Sequence, residues 1–130
     1  MKDISELNLP DDRRYTPEHV WIRKDGDSWV AGISDYAQDQ LGEVAYVDLP
    51  AEGKSLPAHA EFGGIESVKS VNSLYMPVAG RVIAVNGALE DAPETVNADC
   101  YGEGWLVRIA PDDPSEAERL LSADAYRGQL

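Results

Sequence analysis

The sequence predicts a mainly β domain, a compact sandwich or barrel interrupted by a few short helices. Two observations predict it: short apolar runs alternate with polar or small residues at period two, and Gly and Pro turns recur between those runs. A third bounds it, since 130 residues with 43% apolar content suit one modest core. No internal repeat, low-complexity tract or linker divides the chain, so residues 1–130 are expected to form a single domain.

Trp29, Ala31 and Ile33 alternate with Ser28, Val30 and Gly32 after the turn Lys24-Asp25-Gly26-Asp27, which reads as a strand. Ser34 can cap a short helix through Leu41, with Gly42 placed to end it. Ala45, Val47 and Leu49 then alternate with Val44, Tyr46 and Asp48, closed by Leu49-Pro50-Ala51-Glu52-Gly53. Residues 62–68 and Leu74-Tyr75-Met76 are extended arms on either side of Lys69, the second ended by Pro77. Residues 82–84 and the set Trp105, Val107 and Ile109 supply the last strands, set off by Ala79-Gly80 and Gly102-Glu103-Gly104. Asp113-Pro114-Ser115-Glu116 combines a cap, a first-turn proline and a capping-box acid, predicting a helix through about Leu121. Its Ala117, Leu120 and Leu121 would face inward, and Glu116, Glu118 and Arg119 outward. Ser122 can cap a last helix containing Ala125 and Tyr126. Trp21, Trp29 and Trp105 are expected to be core or half-buried residues.

Twenty-four acidic against eleven basic residues give a formal charge of −13. Such a surface repels phosphate backbones, and the only adjacent cations are Arg13-Arg14 and Arg23-Lys24, so nucleic-acid binding is disfavoured. No apolar run approaches a membrane span, and residues 1–10 have no apolar signal-peptide segment, so no membrane association and a cytoplasmic location are expected. The single cysteine, Cys100, excludes an intramolecular disulfide framework.

The informative stretch runs from Gly63 to Gly80 and reads G-G-I-E-S-V-K-S-V-N-S-L-Y-M-P-V-A-G. A lysine between two extended arms sits near a hairpin tip, where its amine can project into a partner's active site. An ordinary exposed lysine has the same spacing. Glu66-Ser67-Val68-Lys69, the small residues ahead of it and Pro77-Val78-Ala79-Gly80 behind it resemble the lipoyl-lysine hairpin of the glycine cleavage H-protein family. Further matches fall in order at family spacing over about residues 13–128, among them residues 15–21, Gly32-Ile33-Ser34, Leu41-Gly42-Glu43, Val96-Asn97 and Gly104-Trp105. Biotin carriers commonly flank their lysine with methionines; Val68 and Ser70 stand here instead. Residues 1–12 form an N-terminal extension outside the resemblance.

The resemblance implies a barrel-sandwich hybrid fold with lipoate joined to Lys69 through an amide. That bond removes the lysine's charge and adds a dithiolane, a two-electron disulfide–dithiol couple. A lipoate–protein ligase is then the modifying partner, and the chain itself is a carrier rather than an enzyme.

Two positions depart from the family. His19-Val20-Trp21 replaces the usual His-Glu-Trp, and Ser73 stands where aspartate is common. The family's acids there are thought to hold the cationic aminomethylated arm in a surface cleft, so both changes remove negative charge. Glu18 could compensate. The reading therefore leans toward the H-like lipoate-binding proteins of bacterial sulfur oxidation, partners of a heterodisulfide-reductase-like complex that need no ammonium-binding carboxylate. The alternative is the H protein of glycine cleavage, working with the decarboxylase, the aminomethyltransferase and dihydrolipoyl dehydrogenase. A relay of lipoyl or octanoyl groups is a third role.

Other chemistries are weaker. A Schiff-base lysine wants a desolvated pocket, the opposite of a hairpin tip. His19 and His59 lack further ligands at metal spacing, which favours surface or packing histidines and no metal; the family segment that holds His19 also makes it a candidate to line the arm's cleft. Cys100 has no neighbouring base and reads as a packed thiol. Of the acids around the hairpin, Glu52, Glu61 and Glu66, the last is best explained as a recognition feature for the modifying enzyme.

Overall fold

The computed structural model describes residues 2–130. Among the described residues, nine antiparallel strands form two sheets. The larger sheet is built from β1 (Arg14–Tyr15), β2 (Val20–Asp25), β3 (Ser28–Ile33), β5 (Ser55–Leu56), β8 (Gly80–Val85) and β9 (Val107–Pro111), in the spatial order β1-β2-β3-β9-β8-β5. The smaller holds β4 (Val44–Asp48), β6 (Glu61–Ser67) and β7 (Val71–Tyr75), in the order β4-β6-β7. Ile22, Ile33, Val82 and Ile109 from the first sheet meet Val47, Ile65 and Leu74 from the second in one core. Two sheets packed over a shared apolar layer bear out the barrel-sandwich expectation.

The strand β3 is buried on both faces. Trp29, Ala31 and Ile33 enter the inter-sheet core, while Val30 enters a second cluster with Trp21, Tyr15, Tyr126, Leu7 and Leu9. The period-two reading was correct, but neither face meets water. Gly32 has to be a glycine, because a Cβ would lie 2.8 Å from the Trp21 ring stacked over it. The hairpin joining β2 to β3 turns on Gly26 at φ +66°, in a two-residue loop between the paired Asp25 and Ser28.

The alternation expected along β4 fails. A bulge between Val44 and Tyr46 turns Val44 and Val47 inward and leaves Ala45 and Tyr46 exposed. A bulge sets two residues of one strand against one of its partner, so the register after it shifts by one. Trp105 is half-buried but precedes β9 rather than belonging to it.

Helix α1 (Asp35–Leu41) has the expected ends: the Ser34 hydroxyl accepts from the Ala37 N–H, and Gly42 closes it at φ +73°. A one-turn helix, α2 (Thr95–Ala98), and 3₁₀ turns at Ile4–Glu6 and Gly87–Glu90 were not anticipated. Helix α3 (Pro114–Glu118) stops short of Leu121, whose N–H and C=O both pair with Tyr15. That pairing needs extended backbone and ends the helix early. Glu116 does not point into solvent as expected; its carboxylate accepts from the Ala79 N–H at 3.0 Å. Helix α4 (Ala123–Arg127) starts at Ser122 as predicted. Among the described residues, no helix is long and apolar enough to cross a membrane.

Candidate functional site

Lys69 lies in the turn between β6 and β7 and is exposed. Ser67 closes the turn. Its N–H donates to the Ser70 carbonyl at 2.8 Å, and its Oγ accepts from the N–H groups of Lys69 and Ser70, each at 3.1 Å. Val68 and Val71, 68% and 73% exposed, flank the lysine. The Lys69 stem crosses Gly42, where an added Cβ would sit 2.8 Å from its Cε.

The tip is tied to the rest of the fold by a relay that sequence reasoning missed. The Val68 N–H donates to the Glu43 carbonyl at 3.1 Å. Asn97 in α2 holds the two residues either side of Glu43: its Oδ1 accepts from the Val44 N–H, and its Nδ2 donates to the Gly42 carbonyl, both at 2.8 Å. Nδ2 also reaches the Gln38 side chain at 3.1 Å. Asn97 belongs to the matched segment Val96-Asn97, but no local pattern says what its amide meets.

A cleft of about 450 Å³ opens beside the tip. Ser70 and residues 72–75 of the second hairpin arm supply one wall, α1 supplies another with Tyr36, Ala37 and Gln40, and Glu18 and His19 also line it. Ser70, next to the lysine, is part of the lining, so the cleft begins where the tip ends.

His19, at φ +70°, points its Nδ1 at the Tyr126 hydroxyl, 2.7 Å away, and that hydroxyl meets Ser34 Oγ at 2.7 Å. Its ring leans on Tyr36 with centroids 4.8 Å apart. Burial pushes its pKa below the usual imidazole value and so favours the neutral ring. The Tyr126 phenol is pushed up to about 12, chiefly by burial, and stays a neutral link in this chain. Glu18 Oε1 meets His59 Nδ1 at 2.7 Å across 41 residues of sequence.

The two departing positions have different fates. Val20 is 1% exposed inside the inter-sheet core and does not line the cleft, whereas Ser73 does. Glu18 is the one carboxylate among the described residues of the lining. Glu66 is exposed on the smaller sheet, in register between Tyr46 and Val71. Cys100 stands apart from the cleft. It is buried, its carbonyl accepts from Trp21 Nε1 at 3.0 Å, and burial pushes its thiol up to about 12, so the thiolate needed for exchange is suppressed. Among the described residues no three metal-ligating side chains gather.

The profile of the family described as Glycine cleavage H-protein matches residues 13–130. A glycine cleavage system H protein of Bacteroides thetaiotaomicron is 50% identical over 121 residues, covering 93% of this chain and 96% of that protein. One from Chlorobium limicola is 50% identical over 123 residues, covering 93% and 96%. The crystal structure of a glycine cleavage system H protein from Mycobacterium marinum superposes with a TM-score of 0.85 at 37% identity, covering 93% of this chain and 98% of that one. These likenesses support the glycine-cleavage reading, placed second in the sequence analysis, over the sulfur-oxidation reading placed first. They lend nothing to a heterodisulfide-reductase-like partner. The sulfur reading rested on charge missing at two positions; one of them is core, and the cleft keeps a carboxylate at Glu18. The chain belongs to the glycine cleavage H-protein family.

Proposed function

We propose that this chain is the lipoyl carrier of a glycine cleavage system, with Lys69 as the attachment residue. The observation that carries the reading is a single exposed lysine on a braced hairpin tip, abutting a cleft, in a chain of this family. The residues present fit an acyl arm. The amine is reachable by a modifying enzyme, and the neighbouring cleft can receive a chain the size of an octanoyl group. Joined there as an amide, lipoate supplies the disulfide–dithiol couple and a thiol for the one-carbon aminomethyl unit.

The protein's own residues present and shelter. Ser67 and Asn97 hold the tip, so the lysine leaves the fold from a fixed point. Gly42 keeps a side chain out of the lysine's path. Ile33, Ala37, Leu41, Ile65 and Leu74 give the cleft apolar surface against which the arm can lie, and the carboxylate of Glu18 in the same lining favours a cationic load. Bond chemistry then belongs to the partners: a lipoate–protein ligase, the glycine decarboxylase, the aminomethyltransferase and dihydrolipoyl dehydrogenase. We assign residues 1–130 to one carrier domain working in the cytoplasm.

Mass spectrometry of the protein from its native host tests this. The expected result is a lipoyl group on Lys69, and a Lys69→Arg variant that keeps the wild-type melting temperature and is never acylated. Tryptic peptides from the native host in which Lys69 is always unmodified would overturn the reading. So would full exchange activity with the partner enzymes by Lys69→Arg.

A further inference from the structure

We infer that a relay of two hydroxyls fixes the His19 imidazole with its proton on Nε2, and that this N–H donates to a sulfur of the reduced lipoyl arm. The inference rests on the carrier reading above and deepens it by naming what meets the arm's far end. Ser34 Oγ and the Tyr126 hydroxyl lie 2.7 Å apart, and the Tyr126 hydroxyl lies 2.7 Å from His19 Nδ1. The protons along this chain have two directions open to them, and Ser34 decides between the two. Its buried Oγ already accepts from the Ala37 N–H, and among the described residues the Tyr126 oxygen is the one acceptor its own proton meets. Ser34 therefore donates to Tyr126, and Tyr126 donates to Nδ1. A neutral imidazole whose Nδ1 accepts carries its proton on Nε2.

The backbone aims this ring. His19 stands at φ +70°; its N–H donates to the Thr16 carbonyl and its carbonyl accepts from the Ser34 N–H, both at 3.0 Å. Among the described residues His19 Nε2 has no protein partner, and no buried side-chain nitrogen or oxygen is left unpartnered. Nε2 is therefore open to solvent, on a residue that lines the cleft. The place it occupies is set by α1. The Lys69 stem crosses Gly42 at the end of that helix, while the His19 ring leans on Tyr36 in its first turn. Six residues separate those points, about 9 Å along the axis at about 1.5 Å per residue. Tyr36, Ala37, Gln40 and Leu41 line the cleft over that length. The distance is close to the reach of an extended eight-carbon acyl chain, whose far part in lipoate carries the two sulfurs.

Reduction of the dithiolane gives two thiols, and the reactive form of each is the thiolate. An N–H donor stabilises a thiolate more than a thiol, so it lowers the thiol pKa. The proton released goes to solvent, and no other bond changes. An aminomethylated sulfur carries no charge and accepts only weakly, so the donor favours the empty reduced arm over the loaded one. Burial lowers the His19 pKa, which keeps the ring neutral and its tautomer defined near neutral pH. Of the other groups on the lining, Glu18, paired with His59, opposes a thiolate, and the phenols of Tyr36 and Tyr75 bring no charge near neutral pH. Lys69 loses its charge when acylated.

Two measurements test the contact. In the unmodified chain at about pH 8, nitrogen NMR of the His19 ring is expected to show a proton on Nε2 and a bare Nδ1. Tyr126→Phe keeps its ring stacked on Tyr15 but removes the donor to Nδ1, and is expected to give a mixture of tautomers. A proton on Nδ1 in wild type would overturn the inference. In the lipoylated, reduced protein, the rate of alkylation by iodoacetamide is followed against pH. The midpoint for the arm's thiols is expected to rise by about half to one unit in His19→Phe, with Tyr126→Phe between the two. Cys100 does not interfere, because it is buried and its thiol is pushed up to about 12. A merely structural His19 would change stability and leave that midpoint in place. Equal midpoints in wild type and His19→Phe therefore overturn the inference and leave the carrier reading standing. If His19→Phe does not fold, Tyr126→Phe carries the same comparison. A chain that takes no lipoyl group defeats the carrier reading and the sulfur contact together, and the NMR spectrum still decides the tautomer.

Discussion

At Gly42 two requirements fall on one residue. It ends α1 at φ +73°, and its missing Cβ leaves room for the Lys69 stem. Gly42→Ala is expected to cost about 1–3 kcal/mol from the backbone alone, whose φ of +73° with ψ of −156° is a conformation nearly confined to glycine, measured by urea unfolding. The clash with Cε adds less, because a lysine stem can swing aside; it would instead move the amine and slow acylation by the ligase. A stability loss with unchanged acylation would mean that the lysine's path over Gly42 is immaterial. Much at this scale is readable in the chain: Gly42 announces a helix end and Lys69 stands out by its neighbours. Ser67, Glu18 and His59 are not readable in the same way. Hydroxyls, carboxylates and imidazoles are mostly surface groups, and nothing local marks the few that meet a partner across the fold.

At the scale of elements, a helix end is legible when its cap is a side chain close in sequence. Ser34 to Ala37 and Ser122 to Ala125 are both three-residue reaches, and both helices start where predicted. Helix α3 ended early because its stop comes from elsewhere, the pairing of Leu121 with Tyr15. The two-residue strands β1 and β5 are too short to show any period, and the bulge in β4 broke one that looked regular. The one-turn α2 carries the amide that organises the tip. Asn97→Ala removes three hydrogen bonds at the α1–β4 junction. It should destabilise by about 1–3 kcal/mol, the cost of leaving half-buried backbone groups unpaired. Amide hydrogen exchange should then speed at Val68 more than at strand centres such as Ile109. Uniform acceleration across the sheets would show that Asn97 supports the whole fold and not the hairpin in particular.

At the scale of the whole molecule, there are two cores, and the second one depends on the chain's first residues. Leu7 and Leu9 are buried beside Tyr15, Trp21 and Tyr126, although residues 1–12 lie outside the family match. Polar contacts hold this segment down. Asp35 accepts from Lys2 Nζ at 2.9 Å and from the Asn8 N–H at 2.9 Å, and Arg127 donates to the Ile4 carbonyl at 2.6 Å. These contacts, with desolvation opposing them, keep the Asp35 carboxyl below its usual range. Truncation of residues 1–9 exposes apolar surface on Trp21 and Tyr126 and removes two buried leucines. About 3–6 kcal/mol of stability should go with them, at about 1.5–3 kcal/mol for each leucine. The melting temperature should fall while acylation of Lys69 by the ligase persists. An unchanged melting temperature would mean that the segment is only draped over the fold.

Reading the chain alone was enough for the strand-rich class, the capped ends of α1 and α4, the arms around Lys69 and the family. Each of these is written in residues close together, through period, capping distance or a contiguous motif. The cleft, the Glu18–His59 pair and the His19–Tyr126–Ser34 chain join residues 41 to 107 positions apart, and the closest approach in each is set by loop geometry. The left-handed backbones at His19 and His59 carry side chains to those partners, and such conformations are held by the hydrogen bonds of the assembled fold rather than by the residue's own preference.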